Sequence, residues 1–179
     1  MSTTTHFANM LLSSDFPMGR MHAPKRKKGD WFHSIAVFCD RSIANLPVGG
    51  EWVYAEVIHF CGSNGSPKLL TTQTSIKCVK KHMGKKLYTL NVWDDSFAVI
   101  GDVRTVDGYK DGFGSCDLPM SKIYAAATDK WGDNKIPYAH QRSEAYNCVA
   151  FVDDILHLCT TGVWSPRIVA AHELHGLYI

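Results

Sequence analysis

The first third of the chain contains two stretches in which apolar and polar positions alternate as they do in β-strands. The first is 31–39, which is rich in aromatic and β-branched residues. In the second, 51–60, every other position from Val53 to His59 falls on one face, because successive side chains of a strand point to opposite sides. Further strands are predicted at 86–93 and 96–100.

The later part of the chain changes to a spacing of three to four residues, which predicts helices. One helix is predicted at 121–131 and a clearer one at 148–159. Asn147 is a good N-cap for the second helix, and Gly162 follows its last turn. A short third helix is predicted at 164–171. Together these elements predict an α+β fold, a small antiparallel sheet packed against two or three helices.

The periodic part of the sequence also indicates the domain boundaries. A chain of 179 residues has room for one ordinary domain, which we assign to 31–171. Residues 1–30 show no sustained period and contain a basic run, which predicts a flexible N-terminal arm outside the core. Residues 101–117 are predicted to form a loop, and 172–179 a C-terminal tail.

The amino-acid composition favours a globular protein and indicates no transmembrane helix. The hydrophobic fraction of 45% and the charged fraction of 20% are typical of a globular domain, and the net charge of +2 indicates no dominant electrostatic partner. Six irregularly spaced cysteines favour free thiols in a reducing compartment over a disulfide framework. No apolar stretch approaches the roughly 20 residues of a transmembrane helix, and no signal peptide is evident. We therefore expect a cytoplasmic protein, with a nuclear or membrane-surface location as alternatives.

One short run concentrates positive charge within the predicted arm. Such a run could contact RNA, phosphate or a host protein, or act as a nuclear import signal. The simpler interpretation is a solvated tail that keeps the arm unfolded. The run consists of Lys25, Arg26, Lys27 and Lys28.

The residues that could carry chemistry are one cysteine and two histidines. A thiolate is the attacking form of a cysteine, and a helix N-terminus and a neighbouring imidazole both favour it. Cys148 opens the predicted helix after Asn147, whereas His33 and His59 lie on the first two predicted strands. If those strands are antiparallel neighbours, the histidines could face the same helix. A second histidine could then orient the first. Each of the three is also compatible with a packed interior residue.

Three motifs resemble a known family. The stretches 33–38 (HSIAVF), 56–60 (EVIHF) and 147–152 (NCVAFV) resemble the H-box and NC motifs of the lecithin:retinol acyltransferase-like group. That group includes the HRAS-like suppressor acyltransferases and the picornaviral H-box/NC proteins. The resemblance spans roughly residues 29–162 and implies a permuted papain-like, NlpC-type fold.

The resemblance also implies roles for the three residues. It makes Cys148 the nucleophile, His33 its general base and His59 the residue that orients His33. The implied activity is that of an acyltransferase or a hydrolase. The substrate would be a lipid ester or an amide, and its acyl group would form a thioester on Cys148. Neither a cofactor nor a metal is expected.

Two alternatives remain open. The stretch 165–168 (SPRI) is similar to part of the PPPDE group, which would make the chain an isopeptidase. The cellular acyltransferases have Glu-His where this chain has Val149 and Ala150, and several have a C-terminal membrane helix. The sequence therefore fits a viral or regulatory H-box/NC protein equally well. Such a protein would be non-catalytic and would bind RNA or a host protein through its basic arm.

Three other groups of residues have spacings that suggest a metal site, but none of them matches a known metal-binding motif. Cys78 and His82 have no second ligand pair, and zinc needs four ligands. His172 and His175 are three positions apart, whereas the metalloprotease helix needs four. The acidic, glycine-rich stretch 107–117 does not match a calcium loop.

Overall fold

The computed structural model describes residues 4–13, 31–63, 66–82, 85–92, 95–101, 112–136 and 147–174. The strands are β1 (Thr5–Ser13), β2 (Trp31–Cys39), β3 (Val53–Ser63), β4 (Ser66–His82), β5 (Lys85–Val92), β6 (Asp95–Gly101) and β7 (Phe113–Cys116). The helices are α1 (Met120–Trp131), α2 (Cys148–Thr161) and α3 (Pro166–Leu174). The predicted α+β class is confirmed.

The strands form one antiparallel sheet that curls until it meets itself. Its order is β2-β3-β4-β5-β6-β1-β7, and β1 also pairs with β2. Within β1, Phe7 lies opposite Phe38 of β2, and Leu11 lies opposite Ile100 of β6. Six strands thereby enclose an inner face, and β7 extends the sheet beside β1.

Side-chain alternation divides the buried residues between the two faces of this curled sheet. In β2, Ile35 and Val37 belong to the cluster on the inner face, whereas Ala36 and Phe38 belong to the cluster under the helices. Phe151 of α2 is central to the outer cluster. Its ring stacks on a β3 phenylalanine, Phe60, with ring centroids 5.6 Å apart. Burying a side chain of this size contributes about 1.5–3 kcal/mol, so the contact fixes α2 against the sheet.

The prediction that residues 1–30 form a flexible arm is wrong for the part of this segment that forms β1. Residues 5–13 form β1, a central strand, and the arm prediction does not hold for them. Apolar Phe7 and polar Asn9 are both buried, and the Thr5 hydroxyl donates to the carbonyl of Leu118 over 2.7 Å. Because both faces of β1 are covered, its sequence lacks the alternation of a half-exposed strand.

Two other strands were not predicted. β4 is the longest strand of the sheet and pairs with β3 from Val53 to Ser63. Its sequence is dominated by threonine, serine and lysine, so it gives little hydrophobic signal. β7 lies within the stretch 101–117 that was predicted to be a loop, and it forms by pairing with residues 5–8 of β1.

The helices lie close to their predicted positions. α1 and α2 each differ by no more than two residues from the predicted ranges. α3 begins at Pro166 and continues to Leu174, so it includes the start of the segment 172–179 that was assigned to a tail. Within the described ranges, no helix has the length and apolar character needed to cross a membrane.

Candidate functional site

Cys148 is the first residue of α2, where the helix presents unsatisfied amides. The Oδ1 atom of Asn147 accepts a hydrogen bond from the backbone N–H of Ala150 over 2.8 Å, which is the geometry of an N-cap. Cys148 itself is 8% exposed, while the next residue, Val149, is exposed. Little of Cys148 is therefore exposed to solvent.

His33 and His59 are in direct contact. The His33 Nε2 and His59 Nδ1 atoms are 2.9 Å apart, and the two rings meet edge to face with centroids 5.0 Å apart. One neutral imidazole donates its N–H in this pair and the other accepts. β2 and β3 bring the rings together because they are antiparallel neighbours, with Ala36 opposite Ile58.

Both imidazoles are neutral at pH 7. Burial, together with the positive charge that His59 would carry, lowers the pKa of His33 from 6.5 to about 3. Burial lowers the pKa of His59 from 6.5 to about 4. Cys148 is not among the causes of either shift. In this arrangement the pair is stable as two neutral rings and binds a proton weakly.

The strand register assigns the two histidines to the inner face of the sheet. Val37 lies opposite Val57, and both belong to the inner cluster. His33 is four positions from Val37, and His59 is two positions from Val57, so both histidines share that face. α2 packs on the other face, where Phe60 contacts its Phe151 ring. The imidazoles and the helix that begins with Cys148 therefore lie on opposite faces of the sheet.

This arrangement brings together part of the predicted site. The two histidines form a pair, and Asn147 and Cys148 begin a capped helix. The assignment of His33 as the general base of Cys148 stays a prediction, and a Cys–His ion pair would require the ring to leave the inner face. The basic run formed by Lys25, Arg26, Lys27 and Lys28 lies outside the described residues.

An ion pair between a buried carboxylate, Asp154, and a partly exposed Arg167 joins α2 to α3 and was not predicted from the sequence. Arg167 donates from Nη2 to Asp154 Oδ1 over 2.8 Å and from Nε to Oδ2 over 3.1 Å. The Ser165 hydroxyl also donates to Oδ1 over 2.8 Å. Burial raises the pKa of Asp154, while Arg167 and Ser165 oppose that shift. Ser165 and Arg167 therefore anchor α3 to α2. The helical spacing predicts that Asp154 lies off the apolar face of this helix, whereas the structure buries it.

A second missed feature is a basic and aromatic surface around β4. Between Glu56 and Asp94 the sequence contains no carboxylate side chain. Trp52 is 40% exposed and Tyr54 57% exposed, and the Lys77 ammonium lies 4.9 Å from the Trp52 ring centroid. The lysines of this acid-free stretch are Lys68, Lys77, Lys80, Lys81, Lys85 and Lys86.

The described lysines of this stretch do not all have the same role. Lys86 donates to the carbonyls of Ala44 and Leu46 over 2.8 and 3.0 Å, so it holds the turn before β3. Lys80 and Lys81 are exposed at the end of β4. These two are therefore the best placed of the described lysines to meet an anionic partner.

Two further features of the chain are its possible metal ligands and its similarity to other proteins. In the described ranges, no group of three or more His, Cys, Asp or Glu side chains is arranged to hold a metal ion. No family model, no curated protein and no solved structure matches the chain.

Proposed function

We propose that this chain is a non-catalytic protein of the H-box/NC type that binds single-stranded RNA. The observation that carries the proposal is the position of the histidine pair. His33 and His59 are buried and neutral on the inner face of the sheet, whereas α2 and its Cys148 lie on the outer face. The order of a histidine strand before a cysteine helix is compatible with the permuted papain-like fold that the motifs imply.

RNA is the partner that best matches the surface around β4. Phosphates are attracted by the lysines of the acid-free stretch. The carboxylates next to this surface are those of Glu51 and Glu56, which flank Trp52 and Tyr54 in the sequence. Bases stack on exposed aromatic rings, and two such rings are those of Trp52, which lies beside Lys77, and Tyr54. A positive strand with adjoining aromatic side chains is the combination that binds single strands without reading their sequence.

Binding to a short fluorescent oligoribonucleotide, measured by anisotropy over a range of salt concentrations, tests the proposal. Each phosphate contact contributes about −0.7 to the slope of log affinity against log salt. The double variant Lys80→Glu/Lys81→Glu should therefore make the slope shallower by roughly 1 or more. Trp52→Ala should cost about 1–3 kcal/mol of binding free energy if one base stacks there.

Lys122→Glu provides the control, because Lys122 is exposed on α1 rather than on β4. This substitution reverses one surface charge, as each substitution of the double variant does. It should leave both affinity and slope close to those of the wild type. Equal weakening by the control, or no binding by the wild type at low salt, would contradict the proposal.

A second candidate is the cysteine-dependent acyltransferase or hydrolase. Two observations favour it: Cys148 at a capped helix N-terminus, and the 2.9 Å contact by which His59 could orient His33. The thiolate would attack an ester or amide carbonyl and form a thioester, while the leaving group would take the proton from the imidazole. Water or an acceptor would then release the acyl group.

Intact-mass analysis after incubation with a phospholipid or an activated acyl ester tests this second candidate. An adduct on the wild type that is absent from Cys148→Ala would support turnover at Cys148. Equal labelling of both proteins would exclude a specific thioester there.

A further inference from the structure

A row of three side chains crosses β3, β4 and β5 on the outer face of the sheet. Tyr54 of β3 lies opposite Ser75 of β4, and the Nδ2 atom of Asn91 on β5 donates to the Ser75 hydroxyl oxygen over 3.3 Å. Each of the three adjoins a residue of the inner cluster along its strand, so alternation assigns the row to the outer face. Those neighbours are Ala55, Ile76 and Leu90. Tyr54 is 57% exposed and the other two residues are half-buried, so a ligand can reach the row from solvent.

The hydrogen bond within the row determines what Ser75 can offer a ligand. A hydroxyl group has one proton to donate, and its oxygen accepts through its lone pairs. The Asn91 amide is the donor in this contact, so the Ser75 oxygen is the acceptor and its own proton is directed elsewhere. Within the part of the chain that the structure describes, Ser75 donates no hydrogen bond. Ser75 therefore presents a donor beside the exposed Tyr54 ring.

The charges around the row orient a single strand on it. Lys77 follows Ser75 on the outer face of β4, and its ammonium lies 4.9 Å from the Trp52 ring centroid. Glu56 follows Tyr54 along β3, on the side away from Trp52. Phosphates are therefore favoured on the Lys77 side of Tyr54 and disfavoured on the Glu56 side. A base that stacks on Tyr54 from there keeps its ribose toward the lysine and extends its far edge over the row.

We propose that Ser75 is a specificity-determining residue of this surface and selects a keto base at the Tyr54 position, an inference that rests on the proposed RNA binding. The O2 atom of a pyrimidine lies beside its ribose, so the group farthest from the backbone is the one at position 4. In uracil this group is a carbonyl oxygen, which accepts the Ser75 proton, whereas in cytosine it is an amino group, which only donates. Asn91 is a positioning residue, because its amide directs the Ser75 proton toward the ligand.

Anisotropy titrations with fluorescent oligouridylate and oligocytidylate of equal length test the inference. The two oligonucleotides carry the same phosphates, so the lysines contribute equally to both affinities and the ratio isolates the contact at position 4. The wild type should bind oligouridylate about threefold to tenfold more tightly, which is the effect of one net hydrogen bond. Ser75→Ala should bring the ratio close to that of equal binding and leave the salt slope unchanged.

Asn91→Asp distinguishes positioning of the proton from packing. A carboxylate accepts the Ser75 proton, so the Ser75 oxygen is left to accept from the ligand, and the preference should reverse in favour of cytosine. Thr71→Ala is the matched control, because it removes an exposed hydroxyl from the same face of β4, and it should keep the wild-type ratio.

The outcomes separate this inference from the proposed function. Equal affinity of the wild type for the two oligonucleotides, a preference for cytosine, or an unchanged ratio in Ser75→Ala would overturn the role of Ser75 while leaving RNA binding in place. If the wild type binds neither oligonucleotide at low salt, the inference and the proposed function both fail.

Discussion

Mild acid should destabilise the fold through the His33–His59 pair. Both rings have a lower pKa in the folded protein than the value of 6.5 in an unfolded chain. As pH falls through 6.5, the unfolded state binds protons that the folded state does not bind, so stability decreases. The stabilising effect is complete above pH 6.5. It is lost progressively from there down to the folded values of about 3 and 4.

The size of the effect follows from these values. At pH 5 the solution is about 1.5 units below the unfolded pKa and still above both folded values, and one unit corresponds to about 1.4 kcal/mol. Each ring should therefore lower the free energy of unfolding by roughly 2 kcal/mol between pH 7 and pH 5, and the pair should lower it by about 4 kcal/mol. A typical domain has a total stability of about 5–15 kcal/mol, so the loss should be easy to measure.

Urea unfolding followed by tryptophan fluorescence at several values between pH 7 and pH 5 would measure this loss. This range lies above the ordinary pKa values of aspartate and glutamate side chains. Burial raises the pKa of Asp154, so that group acts in the opposite direction and cannot cause the loss.

The double variant His33→Leu/His59→Leu removes both titrating rings and replaces both members of their mutual hydrogen bond with apolar groups. Its stability should fall by about 4 kcal/mol less than that of the wild type over the same range. An equal pH dependence in the two proteins would refute the assignment of buried, neutral rings.

Three further predictions concern the elements that hold the site, and urea unfolding at pH 7 measures each of them. Asn147→Ala should cost about 1 kcal/mol because the Ala150 amide loses its cap, and Asn147→Asp should retain most of the stability. Arg167→Met should cost about 1–3 kcal/mol because it leaves the Asp154 carboxylate buried without its main partner; no loss would show that the ion pair is not formed. Phe151→Ala should cost about 3–5 kcal/mol, since that ring contacts Phe60 and the α1 tryptophan. A cost below about 1 kcal/mol would contradict the packing of α2 on the outer face.

α2 shows which features the sequence could predict. Its start is encoded by the Asn147 cap, its buried face by the apolar spacing, and its end by Gly162, whose φ of 82° is a left-handed conformation that suits glycine. These signals are local, so the helix is predictable without knowledge of the rest of the fold. The contact of His33 with His59 was also within reach, because alternation and antiparallel pairing determine it.

The remaining features depend on residues far apart in the sequence. β1 gives no alternating pattern because both of its faces are covered, and its pairing with β2 and β6 closes the sheet. Only that closure distinguishes an inner face from an outer one. Sequence alternation could show that His33 and His59 share a face, but not that α2 would pack on the other.

The separation of Cys148 from the imidazoles is tested most directly by the pH dependence of Cys148 alkylation. The rate at Cys148 would be followed by peptide mass spectrometry in the wild type and in His33→Leu/His59→Leu, at pH values where both proteins are folded. We predict that the two pH profiles coincide, because neither ring faces the helix. A profile that shifts to higher pH when the histidines are removed would show that an imidazole activates the thiol, and would contradict the non-catalytic assignment.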